Sequence, residues 1–389
     1  VAMGNASLDA NTTGTDNTAI GYGTLGLNTT GTQMVAIGYN VLAANTTAIF
    51  NVGIGNVALQ ANTTGANNVA LGAAALASNT TAAGNTALGH LALYANTTGA
   101  SNTAVGYQCL DACTTGAALT AVGHTTLGAN TTGYSNVAVG GGAPYLAAAM
   151  QSNTTGYGNT ALGSGAMASN TTASSSTAVG RSAMYANSTG GNHVAVGNHA
   201  LKENTTGNTN TAVGVTALGL NTTGSNNTGL GYIAGDLITT GSNNTCLGYQ
   251  ADPTGATVSN EFTLGNSSVS ALRCADTSIA ALSDRRDKKD IIDSTYGLEF
   301  INQIRPVQFT WDRRDLVKGD LESTHNGKTR IGFISQELQE AMEDDSNEIL
   351  DLVYESNPER LEVKQGKLIP ILTKAIQELS AKVKALEDA

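Results

Sequence analysis

A glycine that recurs at every seventeenth position is the feature that most constrains how this chain can fold. From Gly4 to Gly265 every step has this same length, except one longer step from Gly140 to Gly163. A fixed period of this kind is typical of a solenoid, in which each repeat is one coil stacked on its neighbours. The sequence therefore predicts sixteen coils, with a six-residue insertion around 141–150.

Each coil repeats the same chemistry, and residues 17–33, NTAIGYGTLGLNTTGTQ, are representative. Alanine and then an aliphatic residue precede the glycine, as Ala19 and Ile20 do. Because strand side chains alternate, we expect alanine and glycine to share a crowded face and the aliphatic residues, Ile54 among them, to fill the other, inner face. A second apolar residue, such as Leu25, follows four positions after the glycine.

An NTTG or NTTA string closes almost every coil. Asparagine tolerates the left-handed backbone conformation, threonine hydroxyls bond nearby backbone, and glycine supplies positive φ, so the string predicts a turn. Its NTT sequence is also a glycosylation sequon, but its fixed place favours turn geometry over a glycan. Threonine pairs also occur in ice-binding solenoids, a function disfavoured here because the pair lies in a turn and not in a flat strand.

A 17-residue coil holds too few aliphatic side chains for a core of its own, so the coils must stack. The small-residue face favours three chains wound around one axis. The repeat resembles the AIG-type β-roll repeats of trimeric adhesin heads and phage fibre shafts, although its period is longer than the one usual in those adhesins. We therefore predict a mostly β fold with a trimeric parallel β-helix or β-roll solenoid shaft of sixteen 17-residue repeats.

The position after the glycine often holds an aromatic or histidine ring. Stacked coils would align these rings into partial ladders, which can bind glycans or proteins or simply support the stack. The insertion at 141–150 is a second candidate binding feature, because extra residues in a solenoid form loops on one face. The predicted receptor-facing ladder consists of Tyr22, Tyr39, His90, Tyr107, His124, Tyr232 and Tyr249.

Charge divides the chain into two parts near residue 271. Residues 1–271 contain 2 basic and 7 acidic side chains, whereas 272–389 contain 17 basic and 23 acidic ones. The net charge of −11 and the near absence of basic residues from the first part argue against a nucleic-acid partner. No apolar run approaches the roughly 20 residues that span a bilayer, so no membrane insertion is predicted.

The sequence offers no other reactive site in the shaft. The four cysteines, Cys109, Cys113, Cys246 and Cys274, lack the CxxC spacing of a zinc site and are interpreted as structural filler. No pair of carboxylates suggests a glycosidase. We therefore predict no metal, no cofactor and no multiple-turnover enzyme.

The segment SDRRDKKDI, residues 283–291, begins a charged domain. It resembles the S-D-x-R-x-K-x-x-I signature of the peptidase S74 family, the intramolecular chaperones of endosialidase type. Residues 297–311, GLEFINQIRPVQFTW, and 331–342, IGFISQELQEAM, are similar to two later blocks of that family. The signature positions are Ser283, Asp284, Arg286, Lys288 and Ile291.

The resemblance implies a self-cleaving assembly domain. Serine needs a base to become a nucleophile, and lysine can be that base only when neutral. Ser283 and Lys288 would form this dyad and cut the bond from Leu282 to Ser283 once, with Asp284, Arg286 and Ile291 as supporting motif residues. The five-residue spacing favours a bend over a regular helix. The predicted domains are thus the shaft at 1–271, a linker at 272–282 and an α+β chaperone and autoprotease domain at 283–389.

The end of the chain has the pattern of a short coiled coil at about 368–387. Apolar residues alternate at spacings of three and four, with lysines and a glutamate outside the row. Three such helices would hold three chains together while slow, non-local coils form. The alternative is an ordinary amphipathic helix packed on its own domain. The predicted seam is Ile369, Leu372, Ile376, Leu379, Val383 and Leu386.

These features together predict a structural virion fibre, a bacteriophage tail fibre assembled in the host cytoplasm. Its partners would be two further copies of itself, other virion tail proteins and a glycan or protein receptor on the host cell. The alternative is a bacterial trimeric surface adhesin with an uncleaved trimerising C-terminal domain.

Overall fold

A computed structural model describes residues 1–142, 146–269, 271–273, 283–310, 329–342, 347–355 and 361–389. The chain forms two compact units, Val1–Asn266 and Ser267–Ala389. No helix in these ranges is both long and apolar enough to cross a membrane. The predicted linker residue Leu282 and the cysteine Cys274 lie outside the described residues.

The first unit is a parallel β-solenoid whose strands follow chain order through one sixteen-stranded sheet. Neighbouring strands pair at an offset of one repeat, as Thr18 pairs with Val35. This confirms the predicted solenoid and its repeat. The strands are β1 Ala2–Met3, β2 Thr18–Ile20, β3 Val35–Tyr39, β4 Val52–Asn56, β5 Val69–Leu71, β6 Thr86–Leu88, β7 Thr103–Val105, β8 Thr120–Val122, β9 Val137–Val139, β10 Thr160–Leu162, β11 Thr177–Val179, β12 Val194–Val196, β13 Thr211–Val213, β14 Thr228–Leu230, β15 Thr245–Leu247 and β16 Phe262–Leu264.

The core of the shaft differs from the one expected. Ala19 and Leu25 are fully buried, whereas Ile20 and Ile54 are only half-buried on the outer side of the strand. The expectation that Ile54 fills the inner face is therefore wrong. The narrow coil has room inside for the small alanine together with the leucine four residues after the glycine, and strand alternation then turns the intervening aliphatic row outward. Each chain thus builds its own interior, and the small-residue face is covered by the same chain.

In most coils the residue four positions after the glycine is a buried leucine with a left-handed backbone, with φ of 51° at Leu59. Such a conformation is strained for a non-glycine residue and most costly for a β-branched one. Three coils place methionine there instead, at Met150, Met167 and Met184, with similar φ. Leucine and methionine are both large and unbranched at Cβ. Within Val1–Asn266, valine and threonine do not occur at this position, although half-buried β-branched residues such as Val57 and Ile233 have a similar left-handed φ two positions earlier in the coil.

The NTTG corner is stabilised differently from our expectation. Its asparagine does not adopt the left-handed conformation but is buried, and the Asn28 amide donates to the Gly31 carbonyl at 3.1 Å and to Asn11 Oδ1 at 2.9 Å. Neighbouring coils repeat these bonds, so the asparagines form a ladder through the shaft. The first threonine of the corner donates to the carbonyl of the next coil, as Thr29 does to Thr46 at 3.1 Å. A glycan cannot reach an asparagine that is fully buried.

A second ladder of buried side chains lies at the residue before each strand. Asn210 accepts from the Asn227 backbone N–H at 2.8 Å and donates to the Gly224 carbonyl at 2.8 Å. His193 takes the place of asparagine in this ladder and is also buried. Both ladders satisfy polar groups that would otherwise be buried without partners, which is costly in a protein interior.

The second unit contains short helices and two-stranded antiparallel sheets, β17 with β18 and β19 with β20. Its core includes Phe300, Leu338, Leu352 and Leu368. The prediction of a small α+β region that ends in a helix is confirmed. Its elements are α1 Leu298–Gln303, β17 Val307–Thr310, β18 Thr329–Gly332, α2 Ser335–Ala341, α3 Asn347–Leu350, β19 Val353–Tyr354, β20 Glu362–Val363 and α4 Leu368–Glu387, with short 3-10 helices at Arg285–Asp287 and Gln365–Lys367.

Candidate functional site

The predicted nucleophile and base lie side by side in the second unit. Lys288 Nζ is 2.6 Å from Ser283 Oγ, within hydrogen-bond distance. The 3-10 helix Arg285–Asp287 lies between them, and the Lys288 backbone N–H closes it by donating to the Arg285 carbonyl at 3.2 Å. A regular helix would place residues five apart on different faces, so this tighter, irregular turn is what brings the two side chains together.

Asp284 holds the start of this turn. Its carboxylate accepts from the Arg286 backbone N–H at 2.8 Å and from the Arg286 guanidinium at 2.6 Å. These bonds stabilise the ionised carboxylate, so they lower the pKa of Asp284. The signature residues Asp284 and Arg286 therefore form the cap of the turn that positions the pair, which gives them a positioning role. The remaining signature residue, Ile291, is exposed, with 55% of its surface accessible.

The pair can perform proton transfer from the serine hydroxyl to a neutral lysine amine, the first step of a nucleophilic attack. Both side chains are exposed in the single chain. A lysine acts as a base where removal from water disfavours its charged form, and burial is the usual means. The single chain therefore brings Ser283 and Lys288 within hydrogen-bond distance. A partner would have to bury the two side chains away from water.

Helix α4 packs on its own unit through one face. Leu368, Ile371 and Ala375 are buried, and on the same face Glu378 accepts from the Leu298 backbone N–H at 2.9 Å. The Glu378 carboxylate thus lies at the first turn of α1, where free N–H groups favour negative charge. A side chain at Gly297 would clash with this carboxylate, since its Cβ would lie 2.6 Å from Glu378 Oε2.

The predicted seam lies on a different face of α4 and has no partner within the described part of its unit. The first four seam residues each lie one position after a packing residue, a rotation of about 100° around the helix. Ile369 is 65% exposed and Leu379 is 50% exposed. The helix therefore packs on its own unit, as the alternative expects, but through other residues than the seam. The coiled coil through the seam stays a prediction. The seam consists of Ile369, Leu372, Ile376, Leu379, Val383 and Leu386, all exposed.

The predicted ring ladder exists as three separate stacks. Tyr22 stacks on Tyr39 with ring centroids 5.3 Å apart, and Tyr107 stacks between His90 at 5.4 Å and His124 at 5.3 Å. Stacked rings use their faces on each other and present mainly edges to solvent. The third stack joins Tyr232 and Tyr249 at 5.7 Å. The stacked rings therefore stabilise the contact between neighbouring coils. Receptor binding by these rings stays a prediction.

One further stack escaped the sequence analysis. The rings of Tyr134 and Tyr157 lie 4.9 Å apart and nearly parallel, and both are exposed. Because the insertion lies between them, the two tyrosines are not one regular repeat apart in the sequence. The fixed period therefore does not show that they are neighbours. Each follows an NTTG corner, and alignment on that string would have revealed the stack.

The cysteines of the shaft have the character of filler. Cys109, Cys113 and Cys246 are buried and unpaired with one another. Burial raises the pKa of Cys109 and Cys246 to about 12 and that of Cys113 to about 11. Thiols of this kind are poor nucleophiles, because the thiolate is the reactive form.

Comparison with known proteins gives one match. Residues 283–346 match the family model Peptidase_S74, described as chaperone of endosialidase. The match begins at Ser283, and it includes all three sequence blocks on which the resemblance was based. No curated protein and no solved structure matches the chain.

Proposed function

We propose that this chain is a structural fibre for host-cell attachment, carried by a virion, whose C-terminal unit assembles three copies and then cuts itself off. The observation that carries the assembly step is the exposed seam of α4. The packing face of the helix is already used within the unit, so six large apolar side chains in heptad spacing are left for other helices. The match to a chaperone family over the preceding residues supports the same role in fibre-like trimer assembly.

Self-cleavage is the second step of the proposal. The hydroxyl of Ser283 attacks the carbonyl carbon of Leu282, and the Lys288 amine takes the hydroxyl proton and passes it to the leaving amine of Ser283. An ester between Leu282 and Ser283 Oγ results, and water hydrolyses it to release the domain. The support is the 2.6 Å separation of the two side chains and the family match. Assembly precedes this step, because partner chains cover the exposed pair.

The assembly step is tested in the Ser283→Ala background, which keeps the domain attached. Light scattering is expected to give three times the chain mass, and Leu379→Asp, which places a charge in the seam, is expected to give the monomer mass. The matched control is Ala381→Asp. Ala381 is exposed on the opposite, outer side of α4, so the same charge there leaves the mass unchanged. A monomer mass for the parent protein contradicts the assembly proposal.

The cleavage step is tested by intact mass spectrometry of the chain as expressed. We expect a C-terminal fragment beginning at Ser283, and we expect Ser283→Ala and Lys288→Ala to abolish it. Lys289→Ala is the control, because that lysine carries the same charge but does not contact the serine. A fragment with another first residue contradicts the mechanism. A trimer that stays intact contradicts cleavage and supports the adhesin with an uncleaved domain.

Attachment rests on the shaft surface. The exposed tyrosine and histidine stacks are the groups we propose to face a glycan or protein receptor. Tyr107→Ala is the most disruptive single change, since Tyr107 is the central ring of a three-ring stack. Loss of binding to host cells without loss of the trimer supports this part of the proposal, and unchanged binding contradicts a role for that stack.

A further inference from the structure

The outer face of the sixteen-stranded sheet carries two straight rows of side chains that are half-buried or exposed in the single chain. In β2 to β16 the first row holds only threonine, valine and one phenylalanine, and the second row holds only isoleucine, leucine and valine. Leu71 is 43% exposed and Val139 is 38% exposed. The second row is Ile20, Ile37, Ile54, Leu71, Leu88, Val105, Val122, Val139, Leu162, Val179, Val196, Val213, Leu230, Leu247 and Leu264.

This face is long, with an aliphatic second row beside a first row in which nine of the fifteen residues are threonine. Strands lie about 4.8 Å apart, so fifteen of them extend over about 70 Å. Two rows of side chains with their margins are about 10 Å wide, which gives about 700 Å². Exposed apolar patches of more than a few hundred Å² usually mark an interaction site, and a stable interface buries about 800 Å² on each partner. The face therefore has the size of an interface.

The long insertion does not interrupt the two rows. Thr160 pairs with Val137 and Leu162 with Val139, the same register as in every other strand pair, although the insertion lengthens the chain between them. The chain is in register with its neighbours again at Met150, whose backbone N–H donates to the Ala166 carbonyl at 2.9 Å. The rows thus continue straight past the one irregular coil.

We propose that this face is covered by the same face of other copies of this chain, so that three shafts meet along one axis through their aliphatic rows. The proposal deepens the assembly function above and rests on it, because it assigns the surface through which assembled shafts touch. An identical chain has the same spacing from strand to strand along the whole length of the face, whereas a globular partner could cover only part of that length.

The chemistry of the face favours a like partner. The two rows contain no charged side chain, so they offer no charge pattern for recognition of a different protein. Their side chains are mainly β-branched or aliphatic, which interdigitate well between sheets that pack face to face. By contrast, another long exposed row of the shaft, the second threonine of each corner, such as Thr98 and Thr155, contains no aliphatic residue.

The test measures how fast single cysteines react with a maleimide reagent in the full-length Ser283→Ala protein. Leu88→Cys and Leu162→Cys report on the proposed interface, and Thr98→Cys and Thr172→Cys, both at exposed second threonines of the corners, are matched controls in the same coils. The reaction of the parent protein gives the background of its own thiols. In the trimer we expect the two interface cysteines to react at least about tenfold more slowly than the controls, and in a monomeric Leu379→Asp variant we expect them to react as fast as the controls.

The outcomes separate this inference from the function on which it rests. A trimer in which interface and control cysteines react equally fast overturns the shared face and leaves the assembly proposal intact. A parent protein of monomer mass overturns both. A second variant, Leu88→Glu, gives an independent readout: we expect it to lower the thermal stability of the trimeric shaft clearly more than Thr98→Glu does, and equal effects of the two variants also overturn the inference.

Discussion

Replacing His193 with asparagine is expected to remove an acid-sensitive point from the shaft. His193 occupies an asparagine position of the second ladder, and its Nδ1 accepts from the Asn210 backbone N–H at 3.1 Å. The proton of the neutral ring is therefore on Nε2, which faces the Gly207 carbonyl. The imidazole thus imitates the accepting and donating ends of an amide. A second proton could be added only at Nδ1, where it would meet the N–H of Asn210.

The size and sign of the effect follow from this arrangement. Burial lowers the pKa of His193 to about 4. The ordinary pKa in the unfolded chain is about 6.5, and this difference corresponds to about 3 kcal/mol. Between these two values the unfolded chain binds more protons than the folded chain. Stability is therefore complete above about pH 6.5 and falls by up to about 3 kcal/mol as the pH falls towards about 4. The Ser176 hydroxyl, which accepts from the His193 backbone N–H, and the Asn204 amide, which lies beside Nε2, do not titrate.

The measurement is the free energy of unfolding by urea at neutral pH and at about pH 4.5, followed by circular dichroism. His193→Asn and the parent should differ little at neutral pH, and the variant should be more stable by about 2 to 3 kcal/mol at the lower pH. Hydrogen exchange of residues 176–210 locates the change. His90→Asn is the control, since the ring of His90 is exposed.

Other titrating groups of the shaft act equally in the parent and the variant. His199, whose pKa is also lowered, first by burial, has the same sign as His193 and cancels in the comparison. Burial raises the pKa of Asp111, Asp236 and Asp252, so these carboxyl groups make the folded shaft more stable as the pH falls. Their effect has the opposite sign, and it is the same in parent and variant. Equal loss of stability in His193→Asn and in the parent would refute the assignment of the acid-sensitive group.

Three further predictions concern single side chains. Cys113→Asn should stabilise the shaft by about 1 to 3 kcal/mol in urea unfolding, because Cys113 interrupts the first ladder and leaves the buried Asn96 Oδ1 without a donor; a lower stability would contradict this. Leu59→Ile should cost about 1 to 3 kcal/mol although its volume is unchanged, since a β-branched residue resists the left-handed backbone, and Leu59→Met should cost less than about 1.5 kcal/mol. Glu378→Ala should lower the stability of the C-terminal unit by about 1 kcal/mol through loss of its bond to Leu298, which thermal unfolding of the Ser283→Ala protein can measure against Lys382→Ala.

Much of the fold could be predicted because the repeat is explicit. Sixteen glycines in register determine the strand pairing, and the heptad spacing identifies the seam of α4 before its exposure is known. The inside and outside of the strand could not be assigned from alternation alone. Alternation places Ala19 and Ile20 on opposite faces, but only the width of the coil decides which one points inward.

The candidate site shows the same division. The signature residues indicate which serine and lysine to consider, and a spacing of five requires a bend. Nothing in the spacing shows that Asp284 caps this bend through Arg286, because that contact depends on the backbone of the turn. Similarly, the corner asparagines have the pattern of turn residues. Their ladder could not be predicted, because it depends on how neighbouring coils stack.

The regularity of the shaft creates an alignment problem for three joined copies. Successive coils are so alike that sliding one copy past another by a single coil, about 4.8 Å, replaces nearly every contact with an equivalent one. The rows on the outer face therefore define the direction in which the copies run side by side. They do not define which coil of one copy lies beside which coil of another. Only irregular coils, such as those with Cys113, His193 or the insertion, distinguish the correct alignment from its neighbours. A domain that joins the three C-terminal ends first would set the starting point from which all later coils are counted.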